Sequence, residues 1–330
     1  MKNIIRKRLS LAGLEAGTLA GNTAVLGQAI TLVESQREED QLLAQELITL
    51  LLPHTGHSLR IGITGVPGVG KSTFIEIFGK HLTAQNKKVA VLAIDPSSGK
   101  TKGSILGDKT RMEELTKDPR AFIRPSATGN TLGGVANRTR EAILLCEAAG
   151  YEIIIVETVG VGQSETSVRS MVDYFLLLML AGAGDELQGI KKGIMEMADG
   201  LVITKADGEN ERKATQAQAD FQYALHLFSQ AESGVAPTVM TCSALFKKGI
   251  SEIWESIIAF KEKTTFNGFL QSQRDRQDLE WFESYFQQLW QQNFQANKNI
   301  QSAKKELVKK INQKELSPLQ AAQILFTKTI

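Results

Sequence analysis

The chain has 330 residues, of which 42% are hydrophobic and 22% are charged, and its formal net charge is +2. These values are typical of a globular protein with a sizeable core, and the small net charge argues against an extended nucleic-acid surface. The two cysteines, Cys146 and Cys242, lie far apart without C-x-x-C spacing, which favours a reducing compartment, the cytoplasm, and excludes a thiolate metal site.

The N-terminus "MKNIIRKRLSLAGLEAG" is basic, but no long apolar segment follows it, so we expect no signal peptide. The longest apolar run, "YFLLLMLAGAG" from Tyr174, is too short to cross a bilayer as a helix. It is better explained as a buried parallel strand. We therefore expect a cytoplasmic protein without a membrane partner.

Three zones follow one another along the chain. Residues 1–56 are predicted to be helical, because apolar positions recur at helical spacing in "AVLGQAITLVES" and "QLLAQELITLLL". Residues 57–262 alternate β-branched runs with helical stretches. Residues 263–330 are rich in Gln, Lys and aromatic residues and contain no β-type run; Ser317 and Pro318 predict a capped helix start there. We expect a central domain with an N-terminal helical extension and a C-terminal helical arm.

Seven short runs in the central zone predict strands, namely "LRIGIT", "KVAVLAI", "AFIRP", "YEIIIVE", "YFLLLML", "GLVITK" and "PTVMTCS". Helical stretches lie between most of them, which indicates an α/β fold with a mostly parallel sheet covered on both faces. Ligands of such sheets bind at the carboxyl ends of the strands. All the loops discussed below are therefore expected at one edge of the sheet.

The phosphate-binding motif G-x-x-x-x-G-K-[ST] follows the first predicted strand, with Gly65, Gly70, Lys71 and Ser72 at its defining positions. Glycines let backbone N–H groups surround an anion, and the following helix adds its partial positive charge. Lys71 is expected to reach the β/γ-phosphates, and the Ser72 hydroxyl to ligate Mg²⁺. The nucleotide-binding loop comprises Gly65, Pro67, Gly68, Val69, Gly70, Lys71, Ser72 and Thr73.

A second candidate metal position follows the second predicted strand. Asp95 ends that strand, where a carboxylate suits a Mg²⁺ shell, although an aspartate before a proline also starts turns. The polar, glycine-containing stretch 96–112 is long enough to be functional. Within it Asp108, Lys109 and Arg111 could meet the γ-phosphate or its water; a solvated charge cluster is the alternative.

The stretch "ETVGVGQSE" resembles the D-x-x-G loop of P-loop GTPases, with Glu157 in the place of the aspartate and Gly160 at its glycine. Glu157 is expected near the metal, and the backbone of Gly160 near the γ-phosphate. Val161 occupies the position at which Ras-like GTPases carry their water-orienting glutamine. Gln163 does not match that glutamine by position, so the residue that orients the water stays open.

Two motifs for recognition of the base follow later strands. Thr204, Lys205 and Asp207 resemble N-K-x-D with threonine first, in which a carboxylate accepts from the guanine N1–H and amino groups. Lys205 is expected to cover the face of the base. The S-A-L stretch after the last strand consists of Ser243, Ala244 and Leu245. Both motifs in order favour GTP and GDP over adenine nucleotides.

Six stretches together closely resemble the MeaB/ArgK-type GTPases of the SIMIBI class of P-loop proteins: "GVPGVGKST", "DPSSGKTKGSILGDKTRM", "RPSATGNTLGGVANRTRE", "VETVGVGQSE", "AGAGDELQGIKKGIMEMAD" and "TKADG". The resemblance covers most of the chain. It implies a P-loop GTPase domain for residues 57–262. It also implies a partner, which is methylmalonyl-CoA mutase or a related adenosylcobalamin-dependent mutase. In such proteins, the binding and hydrolysis of GTP gate the loading of the cofactor into the mutase and the protection of the mutase.

The same resemblance marks "AGAGDELQGIKKG" as an additional switch that responds to the mutase, with Asp185, Glu186, Lys191 and Lys192 as its charged members. Without the resemblance, a helix N-terminus with a solvated charged face would be the preferred explanation of these residues. A site with phosphate contacts but no glutamine after Gly160 is expected to hydrolyse GTP slowly alone and faster with its partner.

Other classes remain as alternatives. A nickel-type metallochaperone GTPase of the same class often carries His clusters, whereas here only His54 and His57 lie close together in sequence. A signal-recognition GTPase needs a Met-rich domain, and no methionine follows Met240. A third alternative is an ATP-dependent kinase linked to amino-acid transport, which is the older label of the ArgK branch. A fourth is a scaffold that binds GTP without hydrolysing it.

The C-terminal zone carries one helical stripe of large apolar side chains, Leu279, Phe282, Phe286, Leu289 and Trp290. Aromatic residues are enriched at protein interfaces. The stripe could pack on the chain's own central domain, but related GTPases use a C-terminal arm to dimerise. We therefore predict a homodimer held largely by this arm.

Overall fold

A sheet of seven strands organises the central part of the chain. The computed structural model describes residues 9–94, 112–125, 132–158, 164–182, 192–225 and 231–327. The strands are β1 Leu59–Gly65, β2 Val89–Ile94, β3 Ala121–Arg124, β4 Ile153–Thr158, β5 Tyr174–Leu180, β6 Gly200–Thr204 and β7 Thr238–Thr241. All neighbouring pairs are parallel, in the order β3-β2-β4-β1-β5-β6-β7. The seven predicted strands and the parallel α/β fold are confirmed.

Helices connect the strands and extend the chain at both ends. Their bounds are α1 Leu11–Leu19, α2 Thr23–Val33, α3 Glu38–Leu51, α4 Lys71–Ala84, α5 Glu113–Thr116, α6 Leu132–Ala148, α7 Ser164–Arg169, α8 Lys192–Met197, α9 Glu211–Leu225, α10 Ile250–Phe266, α11 Phe269–Ala296, α12 Lys298–Asn312 and α13 Pro318–Thr327. None of these described helices combines the length and apolarity needed to cross a bilayer.

Helices cover both faces of the sheet, because side chains of a strand point alternately to opposite sides. Ile61 and Ile63 of β1 belong to the buried cluster that contains Phe78 of α4. On the opposite face, the Cγ1 of Val168 in α7 lies only 2.7 Å from where a Cβ of Gly62 would be. The absence of a side chain at Gly62 therefore lets α7 lie directly against β1.

The N-terminal helices pack on α6 and extend the core on the α7 side of the sheet. Leu26, Ile30 and Leu47 are fully buried and share one hydrophobic cluster with Leu145 of α6. The side chain of Asn22 accepts hydrogen bonds from the first amides of α2 and so caps that helix. Residues up to Gln277 form one compact unit that includes these helices.

A buried ion pair lies at the amino end of the sheet, opposite the carboxyl edge. Arg60 of β1 makes two hydrogen bonds to the Glu147 carboxylate, at 2.8 and 3.0 Å. The Ser58 hydroxyl and the Gly56 amide also donate to Glu147. Burial by itself raises the pKa of Glu147, but the Arg60 charge and these donors hold that pKa below its usual value.

The first turns of α11 bind the same edge. Arg274 donates to both oxygens of Asp173, at 2.8 and 2.7 Å, and to the carbonyl oxygens of Gly56 and Ser58. The amide of Gln273 donates to the carbonyl oxygen of Val172 at 2.8 Å. Arg60, Glu147, Asp173 and Arg274 together form what we call the amino-edge network.

Residues 278–330 form a second compact unit, whose first part is the remainder of α11. The Ser317 hydroxyl accepts from the Gln320 amide at 3.2 Å, and Pro318 begins α13, so the predicted helix start is confirmed. The five side chains of the apolar stripe lie on α11 with exposed fractions of 45–68%: Leu279, Phe282, Phe286, Leu289 and Trp290. The predicted domain boundaries at residues 56 and 262 stay predictions.

Candidate functional site

The phosphate-binding loop joins β1 to α4 at the carboxyl edge of the sheet. A Cβ on Gly65 would lie 2.5 Å from the carbonyl oxygen of Leu178 in the neighbouring strand, so no larger residue fits there. Gly68 and Gly70 adopt φ values of +80° and +94°, a left-handed conformation that favours glycine. These three positions shape a turn whose amides precede the first turn of α4, as phosphate binding requires.

Lys71 begins α4 and folds its side chain back over the loop. Its Nζ donates to the carbonyl oxygens of Gly65 at 2.7 Å and Val66 at 3.3 Å. Burial lowers the pKa of this ammonium, while the carboxylates of Glu157 and Glu165 act in the opposite direction. The cation is thus already held within the loop that would receive the phosphates.

Glu157 is the penultimate residue of β4 and lies beside β1 in register with Ile63. It is 8% exposed. The next residue, Thr158, is fully buried, and its hydroxyl lies 2.7 Å from that of Thr64 in β1. This bond between side chains fixes the end of β4 against β1, and so fixes Glu157 close to the phosphate loop.

The oxygen donors at this edge fit a magnesium–nucleotide complex. Ser72 is the second residue of α4, directly after the loop, and Glu157 supplies a carboxylate on the adjacent strand. Hydroxyl, carboxylate and phosphate oxygens are the hard ligands that Mg²⁺ prefers. The Ser72 and Glu157 assignments stay predictions.

Glu165 was not singled out from the sequence as a site residue, although it ends the quoted motif. It is 4% exposed in the first turn of α7, and its charge favours the protonated form of Lys71. No residue spacing marks it, because its burial depends on how α7 lies on the sheet. The close approach of Val168 to Gly62, the hydrogen bonds from Arg140 to Ser170 and the ion pair of Arg169 with Asp199 hold α7 in that orientation.

The first base motif also holds the phosphate loop. The Thr204 hydroxyl, at the end of β6, donates to the carbonyl oxygen of Val69 at 2.7 Å. The Nζ of Lys205 donates to the carbonyl oxygen of Gly68 at 2.9 Å. Thr204 therefore positions the loop with its side chain, and the Lys205 stem runs along the loop, where it can cover a base. A direct contact of Thr204 with the base stays a prediction.

The second base motif is hydrogen-bonded to the first. The Ser243 hydroxyl donates to Oδ2 of Asp207 and accepts from the amide of Phe246 at 3.2 Å. The backbones of Ser243 and Lys248 exchange two hydrogen bonds of 3.0 Å. Leu245, at the tip of this turn, is 77% exposed. The structure thus brings Asp207 and the stretch Ser243, Ala244 and Leu245 together, as guanine recognition would need.

Several predicted residues cannot be placed in this geometry. Ten of them lie outside the described residues, namely Asp95, Asp108, Lys109, Arg111, Gly160, Val161, Gln163, Asp185, Glu186 and Lys191. Lys192 begins α8, and its side chain also lies outside the described part. The roles of these residues stay predictions.

Comparison with known proteins shows the family to which the chain belongs. Residues 26–299 match the family described as Methylmalonyl Co-A mutase-associated GTPase MeaB. The chain is 48% identical to GTPase ArgK of Escherichia coli over 298 residues, which cover 90% of each protein. It is 45% identical over 322 residues to the mitochondrial Methylmalonic aciduria type A homolog of Mus musculus, covering 94% of this chain and 78% of the relative.

A solved crystal structure of a protein named LAO/AO transport system kinase superposes with a TM-score of 0.78 and 40% sequence identity, over 97% of each chain. The chain is therefore a GTP-hydrolysing P-loop protein of the MeaB family of methylmalonyl-CoA mutase-associated GTPases.

Proposed function

We propose that this chain is a GTP-dependent chaperone that gates cofactor loading and protection of an adenosylcobalamin-dependent methylmalonyl-CoA mutase. The observation that carries the proposal is the family match over residues 26–299. A chaperone of this kind must bind its partner differently in different nucleotide states, because only differential affinity can do work. The described site supports a partner affinity that depends on the nucleotide. Thr204 and Lys205 of the first base motif hold the phosphate loop, and the same loop leads into Lys71, so base and phosphate contacts would act on one segment.

In this proposal Lys71 exchanges the carbonyl oxygens of Gly65 and Val66 for β/γ-phosphate oxygens when GTP binds. Ser72, Glu157 and Asp95 hold Mg²⁺, which would neutralise phosphate charge during transfer. Asp207 selects guanine. The two buried, free cysteines accord with the reducing cytoplasm as the place of action.

Hydrolysis without a partner is expected to be slow, because Val161 replaces the usual water-orienting glutamine. The mutase would complete the site through Asp108, Lys191 and Lys192. A cation supplied near the γ-phosphate accelerates other GTPases by about 10³–10⁵. A smaller gain is expected here, because lysine lacks the planar fork of arginine.

We propose in addition that two copies associate through the exposed stripe of α11. Within the stripe the Phe282 and Phe286 rings stack at 6.3 Å, and Trp290 lies 6.5 Å from Phe286. These rings form a continuous, half-exposed apolar surface. Such surfaces are characteristic of association sites.

The test of the partner proposal is single-turnover GTP hydrolysis with and without purified methylmalonyl-CoA mutase. We expect the mutase to accelerate the wild-type chain. Replacement of Lys191 and Lys192 by alanine should leave GTP affinity nearly unchanged and remove most of that acceleration, whereas Asp108→Ala should lower both rates. If the rate of GTP hydrolysis by the wild-type chain is the same at every mutase concentration, the proposed partner is contradicted.

A second candidate function follows from the name of the similar solved protein, a transport system kinase. A kinase of that kind would transfer the γ-phosphoryl group to a protein or small-molecule acceptor. Assays with radiolabelled ATP and GTP separate the two functions. A labelled acceptor together with preference for ATP would favour the kinase; phosphate release from GTP alone favours the GTPase.

A further inference from the structure

Lys205, in the first base motif, has a backbone conformation that residues with a side chain rarely adopt. Its φ is +56°, in the left-handed region, where the Cβ of an L-residue is crowded. Such a conformation persists only where neighbouring groups hold it. The lysine stem that is expected to cover the base therefore starts from a backbone that needs support from another residue.

That support comes from Asn210, at the end of a short 3₁₀-helix that spans Gly208–Asn210 and leads into α9. The Nδ2 of Asn210 donates to the carbonyl oxygen of Lys205 at 2.7 Å. The backbone amide of Asn210 donates to the carbonyl oxygen of Asp207 at 3.0 Å. One residue outside the motif is thus hydrogen-bonded to the backbone of both Lys205 and Asp207.

The left-handed turn decides where the side chain of Lys205 points. Consecutive side chains of an extended strand lie on opposite faces, so a strand that continued past Thr204 would direct Lys205 away from the side of Thr204. In the structure both side chains reach the phosphate loop. The Thr204 hydroxyl donates to the carbonyl oxygen of Val69 at 2.7 Å, and the Lys205 Nζ donates to that of Gly68 at 2.9 Å.

The hydrogen bond from Asn210 to Lys205 is accessible to solvent, which limits its contribution to folding. Lys205 is exposed and Asn210 is half-buried, whereas Thr204 is buried. Loss of an exposed neutral hydrogen bond costs less than loss of a buried one, because water replaces the missing partner. The effect of Asn210 is therefore expected in the geometry of the base motif rather than in the stability of the fold.

We infer that Asn210 is a positioning residue for guanine selectivity. Its side chain holds Lys205 in the left-handed conformation, and so keeps the lysine stem and the Asp207 carboxylate in the arrangement that receives the base. Affinity falls in proportion to the fraction of molecules that hold this arrangement. GTP should be affected more than ATP, because only guanine presents an N1–H and an amino group to Asp207. The inference rests on the proposed selection of guanine by Asp207 and deepens it.

The test is equilibrium displacement of a fluorescent GDP analogue by GTP and by ATP, both in excess Mg²⁺. Asn210→Ala should lower the ratio of GTP affinity to ATP affinity by about fivefold, the effect of one neutral hydrogen bond. Asn210→Asp keeps the shape of the side chain but replaces the donor by an acceptor, and it should lower the ratio at least as much. Both variants should melt within about 3 °C of the wild type.

Gln216→Ala is the matched control. Gln216 is an exposed carboxamide on α9 that donates to Asp220 at 2.9 Å, so its removal also deletes one side-chain hydrogen bond. This control variant should retain the wild-type ratio of GTP affinity to ATP affinity.

A second comparison tests whether Asn210 acts through the backbone of Lys205. Glycine adopts left-handed φ values without strain, whereas alanine does not. Lys205→Gly and Lys205→Ala both remove the lysine stem. Asn210→Ala should therefore lower the affinity ratio less when it is combined with Lys205→Gly than when it is combined with Lys205→Ala.

An unchanged ratio in Asn210→Ala, or equal losses in the glycine and alanine chains, overturns the inference. A GTP preference that Asp207→Asn abolishes and Asn210→Ala leaves intact refutes the role of Asn210 alone. A wild-type chain that binds GTP and ATP equally contradicts the selection of guanine by Asp207, and the inference with it. The assay contains no mutase, so none of these results bears on the proposed partner.

Discussion

The hydroxyl of Thr204 donates a hydrogen bond to the carbonyl oxygen of Val69 at 2.7 Å, and so joins the strand of the base motif to the phosphate loop. The same hydroxyl also lies 3.2 Å from the carbonyl oxygen of Met179 in β5. The residue is 4% exposed. One buried side chain therefore links two strands and the loop, which explains how threonine can serve at the first position of this motif.

Loss of the Thr204 hydroxyl should destabilise the conformation of the phosphate loop without removing any group that contacts phosphate. Thr204→Val is expected to lower the melting temperature and to weaken GTP binding, because a hydrogen bond of this kind contributes about 1 kcal/mol and leaves a buried carbonyl unsatisfied when lost. Thr204→Ser retains the donor and should bind nearly as the wild type does. Calorimetry with GTP and thermal denaturation measure both effects; a valine variant with full affinity would contradict the loop-positioning role.

Lys71→Ala removes the cation from the centre of the phosphate loop. A hydrogen bond to a charged group contributes about 1.5–3 kcal/mol, so GTP affinity should fall by about one to two orders of magnitude. Turnover should be abolished or nearly so. Lys80→Ala is the matched control, because Lys80 lies later on the same helix and pairs with Asp118 outside the loop. Unchanged GTP affinity with normal turnover in the Lys71 variant would refute this assignment.

Asp207→Asn should shift base preference from guanine toward xanthine, because the amide can donate to the xanthine O2. Competition binding with GTP, XTP and ATP measures the shift. Asp220→Asn is a suitable control, because Asp220 is exposed on α9 and pairs with Gln216. Equal competition by ATP and GTP in the wild-type chain would refute guanine selection by Asp207.

The dimer prediction requires truncation at a point that leaves the first unit intact. A chain that ends at Gln277 lacks the stripe of α11 but retains Arg274, and we expect it to be monomeric and to bind GTP. Truncation near residue 265 also removes Arg274 and leaves the buried Asp173 unpaired, a loss of about 3–5 kcal/mol of folding free energy.

Light scattering and thermal denaturation distinguish these two truncations. The shorter chain should melt at a clearly lower temperature than the chain that ends at Gln277. A chain ending at Gln277 that remains dimeric would place the dimer contact outside the C-terminal stripe.

Much of this architecture could be predicted because its signals are local in sequence. The seven strands are short β-branched runs, and the phosphate loop is specified by consecutive residues. Thr204 and Glu165 are different, because the contacts of Thr204 and the burial of Glu165 depend on packing across the fold. The bond from Thr204 to Val69 spans 135 positions in sequence. The orientation of α7, which decides where Glu165 lies, depends in part on the absence of a side chain at Gly62.

The amino-edge network could not be predicted for the same reason. Arg274 meets Asp173 across 101 positions, and Arg60 meets Glu147 across 87. Each partner by itself resembles an ordinary surface charge in the sequence. The parallel sheet gathers the starts of β1 and β5 at one edge, and the end of α6 and the first turns of α11 bring Glu147 and Arg274 to the same place.

The separation of this network from the nucleotide site has a consequence for inherited or selected variants of such a chain. A substitution at Arg274 or Asp173 should lower the quantity of protein that survives cellular quality control, while each surviving molecule keeps its turnover. A substitution at Lys71 should do the reverse, giving normal amounts of an inert protein. Immunoblotting beside activity per molecule would sort variants into these two groups, and only the first group should respond to a stabilising compound or a lower growth temperature.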